Sequence, residues 1–303
     1  MNNRIAFAMV TATCAGILAS ATFASAMSIT QTTDGTVLGS ALGGGGLTID
    51  SVTIKNGADS QFGTYTGFTS APVTIGDGVV LSSGQAVETT AAFQSSGISP
   101  STDTGQAGTA EFDAYGPGHI SNFLISNDVA SLQVDFTLSA PSQVGFNFVF
   151  GSVEFPQFTD KFTDAFVAFL DGTGTANQIV FDASNNALQV GSTFAGALTT
   201  ADTNTAFSDP HGLVQLQTFT LSPLAAGAHT ISFQIGDVND HILDSAVFIS
   251  NFHAGAGEGG TTPPGGGGSP GDGGSPVPEP AGLALLALGL VVLVGGRWYK
   301  GTI

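Results

Sequence analysis

Hydrophobic and polar positions along this chain alternate with a period of two, the pattern of strands that bury one face. Leu132, Val134, Phe136 and Leu138 interleave with Gln133, Asp135 and Thr137, and Ile231, Phe233 and Ile235 with Thr230, Ser232 and Gln234. Phe146, Phe148 and Phe150 sit two apart and share one side of a strand. Ala165–Leu170 is apolar at every position, which reads as a strand covered on both faces. Shorter or less regular candidates are 47–54, Val73 with Ile75, 79–81, 179–181, 213–221 and 246–249. Turn residues separate these runs and no helical period interrupts them, so an all-β fold is expected: a jelly-roll-like β-sandwich forming one domain over residues 27–254. The polar stretch 85–127 is too long for a structureless loop and is expected to contain short strands. The strands at 144–150 and Ala165–Leu170 are expected to pair as neighbours, joined by a turn carrying Glu154, Asp160 and Asp164.

Both ends of the chain break this pattern. Residues 1–26 combine Arg4, an apolar run from Ile5 to Ala24 and the sequence Ala24-Ser25-Ala26, the three parts of a secretory signal peptide cleaved before Met27. Residues 255–277 are rich in Gly and Pro and cannot bury a core, which makes them a linker. After Pro278-Glu279-Pro280 comes an apolar run, 281–296, then Arg297, Trp298, Tyr299 and Lys300. Sixteen residues at about 1.5 Å each give a helix of roughly 24 Å, short for a hydrocarbon core of about 30 Å but extended by interfacial aromatic and basic residues. The expected route is export by the Sec machinery and signal peptidase, leaving the domain outside and a short cytoplasmic end after the apolar run.

Composition narrows the function. Charged residues make up only 9% of the chain, and five Lys plus Arg stand against 23 Asp plus Glu, a net charge of −18. Only Lys55 and Lys161 lie in the body of the domain. Such a chain lacks the cations that neutralise phosphates, so nucleic acid is excluded as a partner. The acidity suits cations or neutral polymers, and it also serves solubility. The one cysteine, Cys14, falls in the signal peptide, so the mature chain has no thiol and no disulfide.

Candidate chemistry rests on acids. Asp237, Asn239, Asp240 and Asp244 gather in one loop, and Glu154, Asp160 and Asp164 in another. Hard cations take six to eight oxygens from such groups, so Ca²⁺ held by Glu154, Asp164, Asp240 and Asp244 is one reading. The other is that these residues satisfy local turns. A hydrolase would need two carboxylates about one bond, with Glu154 and either Asp164 or Asp171 as the candidates. There is no nucleophile elbow. His119, His211, His229, His241 and His253 are scattered without metal-ligand spacing.

Pro278-Glu279-Pro280, the apolar run and the basic cluster opened by Arg297 resemble the PEP-CTERM sorting signal of Gram-negative bacteria. That resemblance implies recognition and cleavage by a membrane exosortase, and delivery to the surface or extracellular matrix alongside exopolysaccharide. The body resembles the choice-of-anchor L family, whose domains occur with varied C-terminal anchors. Three stretches carry this: GVVLSSG at 78–84, FNFVFGSVEFPQF followed by TDAFVAFLDG, and IGDVNDHILDSAVFISNF at 235–252. In the acidic turn of that family Val153 stands where a first acid is common, while Glu154 is retained. The function expected is a non-enzymatic adhesive or exopolysaccharide-associated role. The alternative is a secreted hydrolase of matrix polysaccharide.

Overall fold

The structure is a computed structural model that describes residues 27–43, 45–68, 75–91, 99–159, 161–182, 185–190, 203–207, 211–220 and 222–255, with the side chains of 214–219 excepted. The expected signal peptide, the linker beyond residue 255, the tail 278–303, Val73 and Asp160 lie outside the described residues. Among the described residues no helix is long and apolar enough to cross a membrane.

Eleven strands are described: β1 (Ser28–Gln31), β2 (Thr48–Asn56), β3 (Phe62–Thr66), β4 (Gly78–Ser82), β5 (Ser126–Leu138), β6 (Val144–Ser152), β7 (Ala165–Leu170), β8 (Leu188–Gln189), β9 (Gly212–Phe219), β10 (Gly227–Val238) and β11 (Ser245–Ala254). They form two antiparallel sheets, β1-β3-β4-β11-β6-β9 and β2-β5-β10-β7-β8. The inward side chains of both make one core, including Phe146, Phe148 and Phe150 from β6, Phe166 and Ala168 from β7, Ile231, Phe233 and Ile235 from β10, and Val247 and Ile249 from β11. This is the β-sandwich that the alternation predicts.

The expected pairing of β6 with β7 is incorrect. β6 lies between β11 and β9, whereas β7 lies between β10 and β8 in the other sheet. The two strands face one another instead: Phe148 and Phe166 meet across the core with ring centroids 5.3 Å apart. Alternation reports which face a strand buries but not its partner, so this error is physical in origin.

The outer faces are also covered. Val149, Ala246 and Phe248 pack with Tyr65, Phe68 and Phe207 outside the six-stranded sheet. Ala165, Val167 and Phe169 pack with Phe112 and Tyr115 outside the other. These two aromatics come from α2 (Ala110–Tyr115), capped where the Thr109 hydroxyl accepts from the Phe112 amide. A second short helix, α1 (Gly35–Leu42), is capped by Asp34, whose carboxylate accepts from the amides of Thr36 and Val37, and it sends Leu38 and Leu42 into the main core. Neither helix was expected.

The long polar segment does not contain the expected strands among its described residues. It has α2, one turn at Ala86–Thr89 and the single bridges Thr90 to Thr205 and Ala107 to Asn127. Side chains hold it instead. Asp128 accepts from Thr104 and Gln106, Asp244 accepts from the Thr102 amide, and Asp113 accepts from the amide and hydroxyl of Ser126. The 179–181 candidate is likewise no strand: Phe181 makes only an isolated bridge to Ala187, beside another between Phe169 and Gln178.

Candidate metal centre

Strand register brings five carboxylates to one end of the sandwich. Gly236 on β10 pairs with Ala165 on β7, so the next residues outward, Asp237 and Asp164, are neighbours. Ser245 on β11 pairs with Ser152 on β6. Asp244 therefore stands opposite Val153, whose amide donates to the Asp244 carbonyl, and Glu154 lies one residue beyond. Ser83, at the end of β4, bonds to Ser245 from the other side. Asp240 enters on the loop after β10, where its carbonyl accepts from Asn127.

Glu154, Asp164, Asp237 and Asp244 are all 0% exposed. One oxygen each from Glu154, Asp164 and Asp240 lies within 4.8 Å of the others. Asp164 is the best held of the five. It accepts from the Ser245 hydroxyl at 2.7 Å and the Val238 amide at 3.1 Å. The rest carry oxygens with no hydrogen-bond partner: Glu154 Oε1, both carboxylate oxygens of Asp237, Asp240 Oδ1 and Asp244 Oδ2. Among the described residues no lysine or arginine pairs with any of them. Buried polar atoms without partners cost free energy, and a buried unpaired charge costs more.

The acids respond as that cost requires. Burial, then the charges of Asp164 and Asp240, pushes Glu154 far above the usual carboxylate range. Burial raises Asp164 well above its ordinary value against the opposing hydrogen bond of Ser245. Asp237 is raised by burial and by the charge of Asp164, with the nearby Ser83 hydroxyl opposing. Burial pushes Asp240 up to about 6, with His241 opposing, and Asp244 up to about 7, with the Thr102 amide opposing. In this fold burial shifts all five groups toward the neutral form, and a bound cation would favour the ionised form in its place.

The donor set suits Ca²⁺ among the common cations. It is all oxygen, whereas zinc favours nitrogen and sulfur, and magnesium retains most of its water rather than entering a protein cage. Of the four acids that the sequence suggests, the structure gathers Glu154, Asp164 and Asp240 most closely and sets Asp244 beside them. Asp244 packs on Gly84, where an added Cβ would lie 1.8 Å from Asp244 Oδ2. That close approach gives a physical reason for the glycine that ends GVVLSSG.

Asp237 was not among the proposed ligands, although a signal for it exists. It continues the inward series Ile231, Phe233, Ile235 and so puts an acid on an apolar face. Asp171, considered as a partner for Glu154, is at the far end of β7, seven residues from Asp164 or about 23 Å along a strand. There it accepts from His229 and the Thr230 amide. A further group, Asp103, Asp128 and His241, also comes within 4.8 Å. Asp128 there is already satisfied by Thr104, Gln106 and His241. The other histidines are separate: His119 and His211 bond to backbone carbonyls of Tyr115 and Phe155, and His253 to that of Asn251.

No curated protein and no solved structure matches the chain. The family model described as the Choice-of-anchor L domain matches residues 26–253, a span that takes in all eleven strands but the last residue of β11 and all five acids of the centre. On that match, over most of its length, the chain belongs to the choice-of-anchor L domain family.

Proposed function

We propose that the chain is an exported, exosortase-processed protein of the cell surface or extracellular matrix, with a non-enzymatic adhesive or exopolysaccharide-associated role and a domain stapled by Ca²⁺ at Glu154, Asp164, Asp240 and Asp244. Membership in a choice-of-anchor family supports an exported or surface-anchored protein. The signals at 1–26 and 278–303 support the Sec machinery, signal peptidase and exosortase as processing partners, with the membrane engaged through 281–296 before cleavage.

One observation carries the non-enzymatic reading: the acids that could act as a hydrolytic pair are sealed. Glu154 and Asp164 are both 0% exposed beneath the strand ends, which counts against a polymer bringing a glycosidic bond between them. A cation that enters during folding has no such difficulty.

The test uses the exopolysaccharide of the producing cell. The expected result is retention of the chain on the polymer with no new reducing ends. Turnover that disappears in Glu154→Gln would replace this reading with that of a matrix hydrolase, and absence of both retention and turnover would remove the polysaccharide role.

A further inference from the structure

We propose that the acidic end of the sandwich holds two divalent cations rather than one, the first at Glu154, Asp164 and Asp240 and the second at Asp237 and Asp244 beside Gly84. This rests on the calcium reading above, but moves Asp244 from that reading's single centre to a second one, where Asp237 joins it.

Two observations point to the second ion. The first is where the unpartnered oxygens are. Of the five acids at this end, only Glu154, Asp164 and Asp240 converge within 4.8 Å. Asp237 and Asp244 are not part of that convergence, yet both are 0% exposed and between them hold three oxygens without a hydrogen-bond partner. Asp237 is the extreme case, a fully buried carboxyl on the inward face of β10 whose two oxygens have no hydrogen bond of good geometry, only the weaker approach of the Ser83 hydroxyl and the Asp164 carboxyl. An ion confined to the first three acids leaves these oxygens as costly as before. The second observation is charge. Five carboxyl groups meet at this end with Asp128 and Glu88 acting on them, and among the described residues no lysine or arginine pairs with the five, so their charge is offset by protons or by cations.

The surroundings of the second position fit an oxygen-seeking ion. Gly84 has no side chain, so its backbone lies against the Asp244 carboxylate. The Ser83 hydroxyl and the Asp164 carboxyl stand beside Asp237. Asp164, adjacent to Asp237 through the β7–β10 register, thus lies between the two positions. The Asp244 oxygen that is not free is fixed by the Thr102 amide at 2.8 Å, which orients Oδ2 without consuming it.

Equilibrium dialysis of the chelator-stripped full chain against Ca²⁺, in monovalent salt at neutral pH, reads the stoichiometry directly. Two tightly held ions per chain are expected, falling to one in Asp237→Asn, which keeps the shape of the side chain. One ion in the unaltered chain overturns the second position and leaves the first centre standing. Two ions in both proteins overturn the role of Asp237. No bound ion overturns both the second position and the calcium reading beneath it. Should Asp237→Asn fail to fold, the count on the unaltered chain still decides between one and two.

Discussion

Gly84 and Asp244 show how closely the centre is built. A methyl group at Gly84 would lie 1.8 Å from Asp244 Oδ2 and 2.1 Å from its Cγ, so the carboxylate must swing and break its bond from Thr102. Gly84→Ala is expected to cost about 1–3 kcal/mol, the usual range for overpacking. Gly45→Ala, where nothing lies within 4 Å, should stay within about 0.5 kcal/mol. Denaturant midpoints at fixed Ca²⁺ check both, and equal midpoints would remove the close approach as the reason for the glycine. The same acids set a pH dependence. Asp240 and Asp244 rise to about 6 and about 7 in the fold, against roughly 3.9 in an unfolded chain. Between those values the folded state binds more protons than the unfolded one. Their contribution is therefore full below about pH 4 and is lost as pH rises through 6 to 7. In chelator the thermal midpoint should fall across that window, and Ca²⁺ should flatten the fall by replacing the protons. A midpoint in chelator that holds level or rises from pH 4 to 8 would contradict the assignment of these acids to a proton-or-cation centre.

Strand faces, and not strand partners, carry the main core. Phe148 on β6 is fully buried and meets Phe166 from the opposite sheet, while Phe146 meets Phe233 with centroids 5.0 Å apart. Phe148→Ala is expected to cost about 3–5 kcal/mol through lost burial and a residual cavity. Val37→Ala on α1, where the side chain is 43% exposed, should change stability by no more than about 0.5 kcal/mol. Similar unfolding midpoints for the two variants would contradict the placement of the core. At this scale the sequence was legible where the period was regular, since 132–138, 144–150, Ala165–Leu170 and 231–235 all fall in strands. It was not legible where order comes from single side chains. The stretch 85–127 is held by Asp128, Asp244 and Asp113, acids that lie at or beyond its end or bond within it, and no periodicity reports such bonds. Helix α1 was hidden because its eight residues include Gly35 and Gly39 and depend on the Asp34 cap rather than on propensity. The acidic centre was half legible. Clustering in sequence pointed to Asp237 along with Asp240 and Asp244, but only its register beside Asp164 shows that it stands with Glu154, Asp164, Asp240 and Asp244, which the ligand set proposed from sequence left it out of.

For the whole molecule, charge, processing and the acidic centre bear on one another. All 23 acids lie between residues 27 and 280, whereas Arg4, Arg297 and Lys300 lie outside that span. Under the proposed processing, cleavage before Met27 and near Pro278-Glu279-Pro280 would leave Lys55 and Lys161 as the only lysine or arginine side chains and would remove Cys14. The released domain would then be more acidic than its precursor and without a disulfide, which would leave a bound cation as its available staple. The same cleavages give an optical test, because the chain's single tryptophan is Trp298, beyond the sorting motif. The membrane-held precursor should show tryptophan emission. The protein released from the cell should show only tyrosine emission, with an intact mass beginning at Met27 and ending near Pro280. Replacing Glu279 should keep the tryptophan-containing form in the membrane fraction, since the motif would no longer be cut. A released protein that still emits as tryptophan, or whose mass includes residues 297–300, would mean that the tail is not removed, and the exosortase route would have to be given up in favour of simple membrane anchorage.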